Sequence, residues 1–202
     1  ICSHLACADK KNLNNFTLNQ LKKFSSITKV FEKKINKKIL KHILNSSGVL
    51  NYSNFQMDMV RIGIGLYGSM KNENLSPISS LSSVITQTRI IEKGDFIGYG
   101  FSFCANKKMQ VSIVPIGYAD GLNRKLSNGV GKVIINGRIC EIIGKISMGT
   151  FAIDTSGLDI SEGQKIEVFG NGLSVYSIAK SLNTIPYEIY STLNRRIKRI
   201  YL

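Results

Sequence analysis

One change of pattern constrains this chain more than any other feature. Before "KNENLSP", at residues 71–77, apolar residues alternate between helical spacing and short continuous runs; after it, nearly every apolar segment has the two-residue period of a strand. A polar stretch ending in proline between two such regimes is a linker, so the chain reads as two folding units of different class.

In the first unit, Leu18, Leu21, Phe24, Ile27 and Phe31 recur at helical spacing, with Asn14 or Thr17 as the cap. "KILKHILNSS" and "MVRIGIGLYG" then read as short buried strands, the second followed by glycines that let a loop close tightly. Helix, strand, loop and strand in that order predict α/β architecture with parallel strands. At about 70 residues this piece is too short for a closed α/β barrel, which takes about 250. Part of such a fold is therefore expected to lie on its N-terminal side. "ICSHLACADKKN" lacks the basic start and apolar core of a signal peptide and does not begin with methionine, so residue 1 is not expected to be the natural start.

The second unit predicts strands in "SVITQTRIIEK", "MQVSIVPIG", "TFAIDTS" and "QKIEVFG". "GKVIINGRICEIIG" sets Asn136-Gly137 between two apolar runs, the strongest short hairpin signal. A helix over Ser174–Leu182 follows, with Val175, Ile178, Ala179 and Leu182 on one face, and another begins near Pro186. The expected division is residues 1–72, a linker over 73–79, and a β-domain over 80–202.

Composition excludes more than it identifies. No apolar run is long enough to span a membrane. Cys2, Cys7, Cys104 and Cys140 form no C-x-x-C pair, and with only His4 and His42 to join them the spacing predicts no metal site. Reduced thiols and the lack of a secretion signal fit a cytoplasmic protein. The net charge of +14 sits mostly in lysines of "DKKN", "LKKF" and "FEKKINKKILK". No aromatic residues interleave with them as a stacking platform, so they read as a solvated basic face rather than a nucleic-acid site.

Two tyrosines stand out. "GYGFSF" puts Tyr99 between Gly98 and Gly100, and "VPIGYADG" puts Tyr118 directly after Gly117 and three residues before Gly121. Glycine weakens a strand, so its use around single aromatics points to close approach by something else.

These segments, together with "SHLACAD", "LNSSGVL", "VRIGIGLYG", "VIINGRICEIIGKISM" and the terminal "YEIYSTLNRRIKRIYL", resemble alanine racemase in order and over essentially the whole chain. The resemblance implies the last part of a TIM-type α/β barrel that binds pyridoxal 5′-phosphate, followed by a complete β-domain. It implies an isomerase that interconverts L- and D-alanine with two acid/base groups, one on each face of Cα, supplying D-alanine for peptidoglycan. By the same resemblance Tyr99 is the base specific for L-alanine, touching His4, which touches Arg61 on the cofactor's ring nitrogen. A phenol with an ordinary pKa near ~10 needs such a relay to act at neutral pH. Arginine stays protonated and can only donate, so that nitrogen stays unprotonated and the ring is a weaker electron sink, which suits racemisation. Ser46, Gly63 and Ile64 match the phosphate contacts. Tyr118 and the backbone N–H of Met148 match contacts to the substrate carboxylate.

Taken singly, His4 reads as a core histidine, Arg61 as a surface ion-pair partner and Tyr99 as a strand-end aromatic. Their joint occurrence in three matching motifs favours the catalytic reading. The family is a homodimer in which the β-domain of one subunit faces the barrel of the other, so Tyr99, Tyr118 and Met148 would complete a neighbour's site.

The pattern departs from the family in three places. The V-x-K-A-N-A-Y-G-H-G type segment that carries the cofactor lysine has no counterpart in the sequence, nor has the arginine that binds the cofactor's 3′ oxygen. The missing N-terminal half is thus required for activity, and the chain alone is expected to be inactive and poorly soluble. Gly149 stands where the family has an aspartate, and Arg195 roughly where many members have a phosphate-side tyrosine. The alternatives are a non-catalytic remnant or β-domain without cofactor, and a broad-specificity racemase for other small amino acids.

Overall fold

The computed structural model describes all residues except Lys71 and Glu73. Glu73 opens the expected linker, so the start of that segment lies outside the described residues. The chain divides into two compact units, Ile1–Ser76 and Pro77–Leu202.

The first unit is built on one long helix, α1 (Asn14–Ile35). Its buried stripe is Thr17, Leu21, Phe24 and Thr28, whereas Ile27 and Phe31 are exposed. The 3.6-residue period through Leu21 and Phe24 passes through two threonines that an apolar-only reading skips. They can be buried because Thr17 donates its hydroxyl to the Leu13 carbonyl at 3.3 Å and Thr28 to that of Ser25 at 3.0 Å. Neither expected cap is used. Leu13 precedes the helix without a side-chain cap, and the Asn14 side chain instead accepts from the Tyr52 hydroxyl at 2.8 Å. The helix ends at Asn36 in the left-handed region, φ 49°.

The two strands expected in this unit do not form regular ladders. Residues near 1–3, 41–44 and 58–61 run side by side, with single bonds from Ser3 N to His42 O (3.3 Å), His42 N to Ile1 O (3.1 Å), Asp58 N to Lys41 O (3.1 Å) and Arg61 N to Leu44 O (3.0 Å). The Cys2–His42 bridge is parallel, so α1 connects two parallel segments as a crossover helix does. The Ile1 amino group adds one more bond, to Leu40 O at 2.6 Å. A parallel ladder is secured by neighbours on both sides, and two or three bonds per pair leave these segments extended but irregular. Leu5, Ala8, Leu21, Phe24, Ile43 and Leu44 form the core beneath them.

In the second unit seven strands form one antiparallel sheet. In chain order they are β1 (Leu81–Val84), β2 (Gln87–Ile91), β5 (Met109–Val114), β6 (Lys132–Ile135), β7 (Arg138–Ile143), β8 (Phe151–Asp154) and β9 (Lys165–Phe169). A small hairpin, β3 (Phe96–Ile97) with β4 (Phe103–Cys104), lies outside that sheet. The sheet order is β1-β9-β6-β7-β8-β5-β2. "SVITQTRIIEK" therefore gives two strands at opposite sheet edges rather than one. Its corner is Ile85-Thr86: the Ile85 N–H bonds to Gln164 O and the Thr86 N–H to Ile113 O, both at 2.9 Å. One continuous segment thus supplies both edges, which limits unpaired edge in this unit.

Asn136 (φ 48°) and Gly137 (φ 76°) form the two-residue turn between β6 and β7, the left-handed pair that such a hairpin needs. Two short helices follow. α3 (Val175–Ser181) is capped by Ser174, whose hydroxyl accepts from Ser177 N at 3.1 Å, and it buries Val175, Ile178 and Ala179, with Leu182 buried just beyond. α4 (Pro186–Thr192) starts on its proline.

Candidate functional site

The residues singled out by the sequence fall into two groups, one in each unit. In the first unit, Ser46 opens the short helix α2 (Ser46–Asn51), capped by Asn45, whose side-chain oxygen accepts from Gly48 N at 2.9 Å. Ser46 is buried, and its Oγ accepts from Gly63 N at 3.0 Å and Gly65 N at 3.3 Å. Its own hydroxyl proton has no acceptor among the described residues. A Cβ added at Gly63 would meet nothing within 4 Å, so space is open above this glycine. Buried Ile64 begins the single turn that follows. The N–H groups of Gly63 and Gly65 are spent on Ser46, so the donors left beside this open space are the Ser46 hydroxyl and the Ile64 N–H, which suit an anionic oxygen.

Arg61 is half-buried and has no ion-pair partner among the described residues. Its Nη2 donates to the Ser3 carbonyl at 2.6 Å and faces His4 Nδ1 at 3.3 Å, while Nη1 bonds to His42 Nδ1 and reaches the His42 carbonyl at 3.4 Å. The terminal nitrogens are thus occupied, which leaves the Nε–H as the guanidinium donor without a partner among the described residues. His4 is exposed, not a core histidine. Its other nitrogen, Nε2, lies 3.3 Å from the Asn45 amide nitrogen. A neutral imidazole has one acceptor nitrogen, so it accepts from Arg61 or from Asn45, not from both at once.

In the second unit, Tyr99 is 70% exposed at the tip of the loop joining β3 to β4. Gly98 (φ 81°), Gly100 (φ 66°) and Phe101 (φ 51°) all have left-handed backbone, uncommon for a residue as bulky as Phe101. Phe101 packs edge-on against Phe96, with ring centroids 5.0 Å apart. A Cβ at Gly98 would lie 2.8 Å from both Lys145 N and Ser102 Oγ. The loop is pressed onto the Gly144-Lys145 backbone and fixed there by Lys145 N donating to Ser102 Oγ at 2.9 Å.

Three residues further along, the same backbone holds Tyr118. Tyr118 N donates to Ser147 O at 3.1 Å and Ala119 N to Met148 O at 3.0 Å. Tyr118 is 48% and Met148 65% exposed, so both are presented outward on one continuous stretch with the Tyr99 loop. Gly149 has open space around a hypothetical Cβ.

Sequence reasoning missed four participants. Nothing in the sequence connects His42 and Asn45 with Arg61 and His4, although both lie within four residues of Ser46 in the same segment. The other two are Asp120 and Arg196. The Asp120 carboxylate accepts from Gly117 N at 2.9 Å and from Arg196 Nε at 2.6 Å. The Asp-Gly at 120–121 signals a turn, but nothing local points to an arginine 76 positions away.

The bond from Arg196 holds the Asp120 carboxyl below the usual carboxylate range, against the opposing effect of burial and with help from the Gly117 N–H. The unfolded chain, with the higher pKa, then binds more protons in the interval between the two values. The pair's contribution to stability is therefore complete above about pH 4, the ordinary aspartate value, and is lost as pH falls through the lowered one. Denaturant midpoints between pH 5 and 2 are expected to fall more steeply for the unaltered chain than for Asp120→Asn.

Comparison with known proteins gives a consistent result for both units. Residues 78–201 match the family description "Alanine racemase, C-terminal domain" and residues 1–71 match "Alanine racemase, N-terminal domain". Over its full length the chain is 33% identical to alanine racemase 2 of Caldanaerobacter subterraneus, covering 54% of that protein, and 35% identical to an alanine racemase of Helicobacter pylori, covering 57%. It spans about half the length of the curated relatives it matches. Among solved structures, alanine racemase from Bartonella henselae with covalently bound pyridoxal phosphate superposes with TM-score 0.87 at 33% identity. The Clostridium difficile alanine racemase in complex with cycloserine gives 0.91 at 31%. Each comparison covers all of this chain, and 56% and 55% of those two chains.

Proposed function

The chain belongs to the alanine racemase family, and from that premise we propose that it is the second part of a pyridoxal-phosphate-dependent racemase acting on alanine. Residues 1–72 are then the last part of the α/β barrel, residues 73–79 the linker, and residues 80–202 the β-domain. The preceding half of the barrel supplies the cofactor lysine, and two such assemblies form a homodimer with shared sites. The product, D-alanine, serves peptidoglycan synthesis.

The observation that carries this reading is the Arg61 guanidinium, whose terminal nitrogens are engaged by Ser3, His4 and His42 while Nε–H has no partner among the described residues. Such a group, permanently protonated, can donate to a ring nitrogen and cannot give it a proton. The Ser46 hydroxyl proton and the Ile64 N–H, beside the open space over Gly63, whose own N–H is held by Ser46 Oγ, suit the phosphate. Bound there, pyridoxal phosphate supplies the electron withdrawal that lets a substrate Cα release its proton.

The remaining work falls to side chains of this chain. Tyr99 Oη takes the α-proton of L-alanine or returns it, and a left-handed loop presents that hydroxyl clear of its own unit. His4 accepts from Arg61 at Nδ1 and so carries its proton on Nε2, from which it can donate to the Tyr99 oxygen and stabilise the phenolate. The Tyr118 hydroxyl and the Met148 N–H hold the substrate carboxylate, which fixes the orientation of Cα.

The test is cofactor binding. Pyridoxal phosphate added to the chain together with the N-terminal half of a family member's barrel is expected to give an absorbance band that borohydride fixes covalently. The chain alone should give none. A fixed band with the chain alone, or none with both halves folded together, would contradict the proposal.

A further inference from the structure

The Gly117–Gly121 turn is tied down on two sides, and only one of its side chains takes part among the described residues. On one side Tyr118 N and Ala119 N donate to the Ser147 and Met148 carbonyls. On the other, the Asp120 carbonyl accepts from Asn194 N at 3.0 Å, and Thr192 O crowds Gly121 so closely that an added Cβ would lie 2.2 Å away. The Asp120 carboxylate joins these sides. It closes the turn around Tyr118 by accepting from Gly117 N at 2.9 Å, and it holds the C-terminal segment through Arg196 Nε at 2.6 Å. Asp120 is buried while Tyr118, two residues earlier, is half exposed. A buried carboxylate bonded twice within one unit is suited to holding its neighbour still rather than to meeting a ligand.

We propose that Asp120, with Arg196, is a positioning residue that sets the Tyr118 hydroxyl and the Met148 N–H in register for a substrate carboxylate. The inference rests on the reading of Tyr118 and Met148 as carboxylate contacts given above. Asp120 itself touches no reacting atom. Its loss should leave proton transfer at Tyr99 intact and weaken the hold on the carboxylate, because the Tyr118 turn and the Ser147-Met148 backbone would no longer be braced from behind.

The test uses a neutral replacement pair. Asp120→Asn keeps an acceptor for Gly117 N–H but sets an amide donor against the Arg196 Nε–H. Adding Arg196→Gln offers that amide an acceptor and restores an uncharged hydrogen bond. In the chain itself, Asp120→Asn is expected to speed hydrogen exchange at the Tyr118 and Ala119 amides, and the double substitution to slow it again. In the enzyme assembled with its N-terminal half, Asp120→Asn should raise KM for alanine about tenfold with kcat within about twofold, and the double substitution should recover most of the loss.

Unchanged exchange, or an unchanged KM beside a lowered melting temperature, would overturn the inference and reduce the pair to a structural tie. Should Asp120→Asn fail to fold, Arg196→Gln alone, on an exposed side chain, carries the same two readouts with a smaller expected KM rise. Tyr118→Phe tests the underlying reading separately. If it leaves KM unchanged, Tyr118 is not a carboxylate contact, whereas a raised KM there with none for Asp120→Asn removes only the positioning role.

Discussion

Tyr99→Phe is expected to lower alanine racemisation by the assembled enzyme by about a thousandfold while leaving its fold unchanged. The change removes one oxygen. Tyr99 is 70% exposed at the tip of its loop, and the path of that loop is set elsewhere: by left-handed Gly98, Gly100 and Phe101, the Phe96–Phe101 contact and the Ser102–Lys145 bond. The hydroxyl contributes to none of these, so stability should stay within about 0.5 kcal/mol of the unaltered protein. The rate is another matter. A positioned general base contributes about a hundredfold to ten-thousandfold, and phenylalanine has no atom that can hold the proton. The loss should be largest in exchange of the L-alanine α-proton with solvent deuterium, since Tyr99 is read as the base on that face. Unimpaired exchange from L-alanine in the folded variant would remove Tyr99 from the mechanism.

The second large effect concerns stability. Gly121→Ala is expected to cost the β-unit about 3 kcal/mol or more, read as a fall in the denaturant midpoint. Gly121 has φ 100°, a conformation that costs an L side chain about 1–3 kcal/mol by itself. The added methyl would also lie 2.2 Å from the Thr192 carbonyl oxygen and 2.8 Å from Leu193 Cα. Both obstacles are backbone at the end of α4, with no flexible side chain to swing aside. The turn carrying Tyr118 and the C-terminal segment would have to separate, breaking the Asn194–Asp120 bond. Gly149→Ala is the internal control: its φ is ordinary and nothing lies within 4 Å of the new methyl, so stability should change by no more than about 0.5 kcal/mol. Equal effects at the two glycines would mean that the close approach at Gly121 is absent in solution.

What the sequence made legible was local. Asn136-Gly137 specifies its turn because both residues tolerate the left-handed backbone that a two-residue hairpin imposes. Ser174 and Pro186 announce helix starts for equally local reasons, an acceptor for an unpaired N–H and a preset φ. Reading failed where a partner distant in sequence decides. The break at Ile85-Thr86 depends on Gln164 and Ile113 arriving from opposite edges of the sheet, so nothing within "SVITQTRIIEK" marks it. The buried face of α1 runs through Thr17 and Thr28, whose hydroxyls are satisfied by the helix itself, and a stripe traced through apolar residues alone leaves both out. The short strands of the first unit promised ladders that two or three bonds per pair do not make. At the candidate site, His4, Arg61, Ser46, Tyr99 and Tyr118 could be nominated because each sits in a recognisable motif. Asp120 and Arg196 could not, since only the tertiary fold joins them.

Chiral analysis of alanine decides whether these residues are half of an alanine racemase. L-alanine would be incubated with pyridoxal phosphate and the chain combined with the N-terminal half of a family member's barrel, beside each part alone. Conversion toward equal amounts of the two enantiomers is expected in the combined sample, and none with either part alone. L-alanine left unchanged by a folded, cofactor-bearing combination would contradict that reading.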